Sequence, residues 1–399
     1  MIIIELLLSF GCISVPNFMF ITMLAAFPAL STDMYLPALP SIQEQWGISL
    51  ASVNLSLVMF FIFFSFFMLI YGPLSDKFGR KPVLIGGVGM YVVGCLLCAL
   101  STDIWFLVAA RIVQAAGAAS ASALSMALAK DLYTGTERQK VLAYIGVIVP
   151  LCPMIAPMMG SLMLEYLSWE WIFICQGILA SLAFYGTIVF KEPEFEKTSG
   201  GVWSVMTRYL VILKNVKFTI YCFSFSLVSI GFFSFLAGSA DIYIRTFGLS
   251  EQQYAMFFGF NALGFMTGSF TCSRLCVGYS STTILKFSLG GVFLAALGIY
   301  FFGLTEYLFA ATMFLMTFSI GVSRPVSNHM ILETVDRDIG AASAMATFTY
   351  FIFGAIAMEV ISLDWESKIA LIGKMGMVGG LVPFIALQLI GRKRRASTK

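Results

Sequence analysis

Apolar runs of roughly 20 residues recur from one end of the chain to the other, separated by short polar intervals. At about 1.5 Å per residue each is long enough to cross a hydrocarbon core roughly 30 Å thick. The pattern predicts twelve membrane-spanning helices, at residues 14–38, 52–74, 82–101, 104–127, 141–163, 170–190, 218–240, 253–274, 283–303, 307–326, 340–362 and 369–390. The longest polar interval, 191–217, separates six spans from six. It divides the chain into an N-terminal half (1–190), a linker (191–217) and a C-terminal half (218–399). Within the linker, Trp203, Met206, Tyr209, Leu210 and Leu213 recur at helical spacing among Arg208, Lys214 and Lys217. That fits either a helix lying on an anionic leaflet or a solvated basic linker.

Composition agrees: of 399 residues 59% are hydrophobic and only 11% charged, with a mean hydropathy of +0.91, where a soluble domain carries about 25% charged residues. The class is an all-α, polytopic membrane protein. The net charge of +3 says little, but the placement of the bases says more. Loops on one face hold Lys77, Arg80, Lys81, Lys130, Arg138, Lys140, Lys191, Lys197, Arg208, Lys214, Lys217, Arg274, Lys286, Arg324 and Arg337, with Arg392, Lys393, Arg394, Arg395 and Lys399 in the tail. Only Arg245 and Lys368 fall on the other face, so the bias of bases toward the cytoplasm puts both termini inside.

The first fifteen residues carry Glu5 but no basic region, and read as an extension of the first span rather than a cleaved leader. All eight cysteines, including Cys12 and the Cys95-Leu96-Leu97-Cys98 pair, lie in or beside spans and read as small apolar filling, with no disulfide and no metal expected. There is no phosphate-binding loop, which excludes ATP-driven transport by this chain alone, and no nucleophile-and-base constellation. The chain is not expected to be an enzyme.

Against this background one stretch stands out. Asp33 sits in the first apolar run before Pro37 and Pro40. A carboxylate in hydrocarbon costs several kcal/mol and usually faces a protein-lined pathway. The stretch recurs: Ser31-Thr32-Asp33-Met34-Tyr35-Leu36 matches Ser239-Ala240-Asp241-Ile242-Tyr243-Ile244, and Trp46-Gly47-Ile48-Ser49 matches Phe247-Gly248-Leu249-Ser250. Two landmarks half a chain apart argue for two six-helix halves related by an internal repeat, with a substrate site between them. Arg111, in the fourth span at a depth similar to Asp33, is the expected partner of that carboxylate across the cavity. Protonation of Asp33 would then either break the pair during transport, or the pair would only hold the first and fourth spans together. Asp241 reads as a second protonation site or an outer-loop residue. Tyr35, Tyr243 and Gln114 are candidates to line the cavity. The run Phe60, Phe61, Phe63, Phe64, Phe66 and Phe67 covers every side of its helix, and so reads as packing rather than a binding cage. His329 reads as an interfacial polar residue, and Glu359 and Lys374 as residues that reach toward the outer surface.

The most specific motif is Gly72-Pro73-Leu74-Ser75-Asp76-Lys77-Phe78-Gly79-Arg80-Lys81-Pro82, between the second and third spans. Gly72 permits close helix approach, Gly79 a tight turn, and Asp76 can accept hydrogen bonds while Lys77, Arg80 and Lys81 hold the cytoplasmic face. The motif resembles the signature loop of the major facilitator superfamily. Arg111-Ile112-Val113-Gln114 resembles that family's Arg-x-x-Gln motif, and Lys130-Asp131 the charged pair that meets the signature loop. Gly146, Pro150, Pro153, Pro157 and Gly160 resemble its Gly- and Pro-rich antiporter motif, in which prolines break the helix, although Ala156 and Ser161 stand where glycines are usual. Thr32 to Pro40 resembles the first-span motif of the bicyclomycin-resistance and chloramphenicol-efflux (Bcr/CflA) drug:proton antiporters, as do Trp171-Ile172-Phe173 and Gly340 to Ala344. The resemblance implies the superfamily fold in the bacterial cytoplasmic (inner) membrane and export of small amphipathic molecules, antibiotics among them, driven by the proton gradient without a cofactor. A dedicated exporter or importer of one metabolite or siderophore is the alternative on the same fold. A transporter-like receptor would need an output domain, which a ten-residue tail after Leu389 does not supply. Expected partners are a small-molecule substrate, protons and the lipid bilayer, with no nucleic acid, and the chain is expected to act as a monomer.

Overall fold

The computed structural model describes residues 15–192 and 202–397. Glu5, Cys12, Lys197 and Lys399 lie outside them. Among the described residues the regular structure is helical, as a chain in hydrocarbon requires, since each backbone N–H and C=O must find its partner within the protein. The first span is interrupted: α1 (Val15–Asp33), one 3-10 turn (Leu36–Ala38) and α2 (Leu39–Trp46). There follow α3 (Leu50–Phe78), α4 (Arg80–Ala99), α5 (Ile104–Leu132), α6 (Gly135–Tyr166) and α7 (Glu170–Val189), then the linker helix α8 (Val202–Lys214). The seventh span is α9 (Val216–Ser226), α10 (Ser229–Ala240) and a π-turn (Asp241–Thr246). The chain continues with α11 (Glu251–Leu275), α12 (Ser281–Phe302), α13 (Glu306–Leu332), α14 (Ile339–Ser362) and α15 (Lys368–Ser397).

Eleven of the twelve spans are long and apolar enough to cross a membrane by length and composition. The twelfth, α11, has the length (25 residues) but carries Glu251, Gln252, Gln253 and Asn261, and it packs between α6 and α13. Side-chain caps begin several spans at the face opposite the basic loops. Ser49, Asp103 and Thr305 each accept a backbone N–H, and Ser250 with Gln253 closes a capping box.

The two halves meet along α3 against α14 and α6 against α11. At the face opposite the basic loops they are tied together: Asn54 Nδ2 donates to Ala237 O (3.1 Å) and Ser362 Oγ (2.7 Å), and Arg245 pairs with Glu44 (3.3 Å). At the basic face a groove of about 270 Å³ separates Gly72 and Asp76 from Gly340 and Ala344. Gly72, expected to permit close helix approach, therefore has open space where a Cβ would stand. The linker helix bridges this side. Tyr209 Oη donates to Leu69 O (2.8 Å), and Arg208 pairs with Asp338 (3.3 Å) at the start of α14. Tyr209 is thus docked on the second span, and burial pushes its phenol up to about 12, so it remains a donor.

Candidate functional site

The interrupted first span sets the site. Pro37 and Pro40 sit at the starts of the two short helical pieces, and Tyr35 N turns to Thr32 O (3.2 Å) instead of continuing the α-helical ladder. The carbonyls of Leu30 and Ser31 are taken by side chains instead: Gln176 Nε2 donates to Leu30 O (3.0 Å) and Arg111 Nη1 to Ser31 O (2.9 Å). Arg111 also donates to Gln114 Oε1 (2.5 Å), and Gln114 Nε2 donates to Gln176 Oε1 (2.8 Å), which closes a buried polar ring. The guanidinium lies against Phe60, Tyr35 and Phe173, at 4.3, 5.0 and 5.7 Å from their centroids, while its Nε and Nη2 are sealed without hydrogen-bond partners.

The expected Asp33–Arg111 pair is therefore absent. The reason is helical geometry: residues two apart on a helix point about 200° apart. Ser31 faces the interior of its own half, where its hydroxyl meets Tyr91 Oη (2.5 Å), so Asp33 faces away, toward the other half. Asp33 lines a cavity of about 320 Å³ between the halves and accepts a hydrogen bond from Thr32 Oγ1 (3.0 Å). No ion pair reaches it among the described residues. Tyr35 and Gln114 pack around Arg111 and are not on the cavity wall; Tyr35 Oη bonds Ser56 Oγ (3.0 Å).

The repeat mates diverge in the second half. Asp241 also marks a helix irregularity, the π-turn, but Lys368 Nζ lies 2.6 Å from its carboxylate and Arg245 3.9 Å, at the face opposite the basic loops. Tyr243 is fully buried among aromatic rings, 5.1 Å from Phe257 and 5.4 Å from Phe309. Neither lines the cavity.

On the basic face Arg80 is the hub. It pairs with Asp76 (2.6 Å) and Asp131 (2.9 Å) and bonds Ser75 Oγ (2.6 Å), and so ties α3, α4 and α5 together. Gly79 adopts φ +111°, a region closed to most side chains, and lets Glu192 reach the N–H groups of Arg80 and Lys81. Lys81 Nζ caps Ile188 O (2.6 Å) and Phe190 O (2.8 Å), Lys77 lies over Phe78, and the Lys130 carbonyl accepts from Arg138 (2.7 Å).

The Gly- and Pro-rich span does not break. The helix α6 is continuous through Pro150, Pro153 and Pro157, because each proline removes one donor while the remaining ladder holds. These prolines recur at i, i+3 and i+7, and Pro150 and Pro153 lie on the cavity wall. Gly160 fits directly against the Met34 carbonyl at the interruption of the first span, where a Cβ would overlap it, whereas Gly146 meets open space.

Two features of the cavity escaped the sequence reading. Phe61 and Phe64 do line it, with Phe232, Phe233, Phe258 and Phe351, so part of the phenylalanine run is cavity wall. Arg324, assigned to a basic loop, lies about two turns inside α13, which runs on to Leu332. It is the cationic side chain on the cavity wall among the described residues, with its guanidinium 3.6 Å from the Tyr350 centroid. The signal available was Arg324 followed by Pro325 inside an otherwise helical pattern. His329, further along α13, is exposed and 3.2 Å from Glu333. Lys374 is exposed, but Glu359 keeps one carboxyl oxygen buried without a partner, contrary to the expectation that it reaches the surface.

The Major Facilitator Superfamily model matches residues 19–358. The chain is 27% identical over 364 residues to a bicyclomycin resistance protein homolog of Haemophilus influenzae, covering 88% of this chain and 90% of that one. It is 27% identical over 343 residues to a chloramphenicol resistance protein of Pseudomonas aeruginosa, covering 84% and 79%. The crystal structure of a D-xylose-proton symporter superposes with a TM-score of 0.73 at 14% identity over 92% of this chain and 97% of that one, a likeness of fold.

Proposed function

The chain belongs to the Major Facilitator Superfamily of membrane transporters, and from that premise we propose that it exports small amphipathic molecules in exchange for protons, by alternating access. The observation that carries this is Asp33. It is a carboxylate at the interruption of the first span, without an ion-pair partner, on the wall of a largely aromatic cavity between the halves. A carboxylate so placed can bind a proton, or accept a hydrogen bond or a cationic group from a substrate, but not both at full strength, which is the competition that antiport needs. Proline and aromatic side chains supply apolar area for an amphipathic body. Energy comes from the proton gradient, with no cofactor. The bias of basic residues supports cytoplasmic termini, the bacterial origin of the relatives supports a bacterial inner-membrane location, and the chain acts as a monomer.

The relatives' names supply the first probes, chloramphenicol and bicyclomycin. Addition of either to the purified protein in weakly buffered detergent should release protons, and the release should vanish in Asp33→Asn. Binding without proton release, or release that survives in Asp33→Asn, would count against proton exchange at this site.

A further inference from the structure

The cavity holds two opposite charges on opposite halves, and the chain itself does not join them. Asp33 ends α1, and Arg324 stands on α13. Among the described residues no salt bridge involves either, and no hydrogen bond engages the Arg324 guanidinium. Tyr350 covers the face of that guanidinium, which leaves its in-plane N–H edge as the available surface. A guanidinium keeps its charge and offers five donors in one plane, a shape matched by a carboxylate. The contrast with Arg111 is instructive. There the donors go to Ser31 O and Gln114 or are sealed by packing, whereas none of the Arg324 nitrogens is among the sealed, unsatisfied atoms.

The ring of Tyr350 offsets part of the cost of the Arg324 cation, but its N–H edge has no acceptor among the described residues until an anionic group comes to it. A wholly anionic ligand would meet repulsion from ionised Asp33. A wholly cationic one would meet it from Arg324. We propose that the cavity takes zwitterionic amphiphiles: molecules with an aromatic body, an ammonium group that replaces the proton at Asp33, and a carboxylate that docks on the edge of Arg324. The proposal rests on the exchange role given to Asp33 above and names the substrate class for that same cavity. Arg324 is then a specificity-determining residue of the C-terminal half, and a bound zwitterion bridges the two halves.

Three probes with one aromatic body separate the charges: 3-(2-naphthyl)alanine, 2-(2-naphthyl)ethylamine and 3-(2-naphthyl)propionate. Binding to the purified protein at pH 7 should favour the amino acid over both others by tenfold or more. Arg324→Gln should abolish its advantage over the amine, with amino-acid binding weakened and amine binding equal or tighter because the repelling charge is gone; the retained amine binding also shows that the variant is folded. Arg324→Lys should keep part of the advantage, since the charge remains but the planar fork is lost. Equal binding of amino acid and amine by the native protein overturns the proposal, as does an advantage that survives in Arg324→Gln. Loss of gradient-driven amine transport in Arg324→Gln would also overturn it, because Arg324 would then serve Asp33 rather than the substrate. The reading of the chain as a proton-driven exporter fails on a different result: an Arg324-dependent binding preference with no gradient-driven movement of any probe.

Discussion

A guanidinium within a membrane needs acceptors or aromatic faces, and Arg111 has both, from the carbonyl of Ser31 to the ring of Phe60. Its removal leaves Ser31 O and Gln114 without their donor in a sealed site. Arg111→Ala should therefore cost about 1–3 kcal/mol for each acceptor left unsatisfied, read as a fall in Tm of the purified protein. Arg111→Lys should recover only part of it, because one ammonium cannot replace a planar fork held between rings. A Tm within a degree or two of the native value would contradict the structural role. Asp33 was legible in the sequence because a carboxylate in an apolar run has few bland explanations. Its partner was not, because depth along a helix can be counted from sequence while the direction a side chain faces cannot. Ser31 and Asp33 sit at nearly the same depth and serve opposite sides. Arg324 was hidden for a related reason, since Pro325 and the polar residues after it made the tenth span seem to end where α13 in fact continues to Leu332.

At the scale of elements, glycines decide how closely helices approach, and α6 carries a test within one helix. Gly160 abuts the Met34 carbonyl, whereas Gly146 faces open space. Gly160→Ala should push α6 from the interrupted first span and destabilise the protein by about 1–3 kcal/mol. Gly146→Ala should be neutral, or stabilise by about 0.5–1 kcal/mol, because it removes the backbone entropy of glycine within a helix. Thermal unfolding of both variants checks the pair, and equal effects would contradict the packing. Most spans could be read from hydrophobic runs because a bilayer imposes length and apolarity together. The run 14–38 gave no sign that the first span is interrupted at its prolines, and the expectation that prolines break a helix failed for α6, where prolines on one face coexist with a continuous helix.

At the scale of the whole molecule, the halves are tied at the face opposite the basic loops and separated by a groove at the other. Asn54 makes two hydrogen bonds across that seam, each worth about 1 kcal/mol net. Asn54→Ala should shift the population toward opening at that face. Spin labels at Ser168 and Leu304 should then report longer distances than in the native protein, and an unchanged distribution would contradict the role of this tie. The internal repeat and the signature loop made the two-half architecture legible, but the repeat also suggested equivalent roles for Asp33 and Asp241. Lys368, distant in sequence, pairs with one and not the other, and so gives them different environments. The central claim, that Asp33 couples proton movement to export through this cavity, is tested most directly in proteoliposomes with a pH gradient imposed in each direction. Native protein should accumulate chloramphenicol inside vesicles that are acidic within, should not accumulate it when the gradient is reversed, and should lose accumulation in Asp33→Asn while still exchanging substrate down its own gradient. Accumulation by Asp33→Asn equal to that of the native protein, or accumulation that follows the proton into alkaline vesicles, would contradict the account.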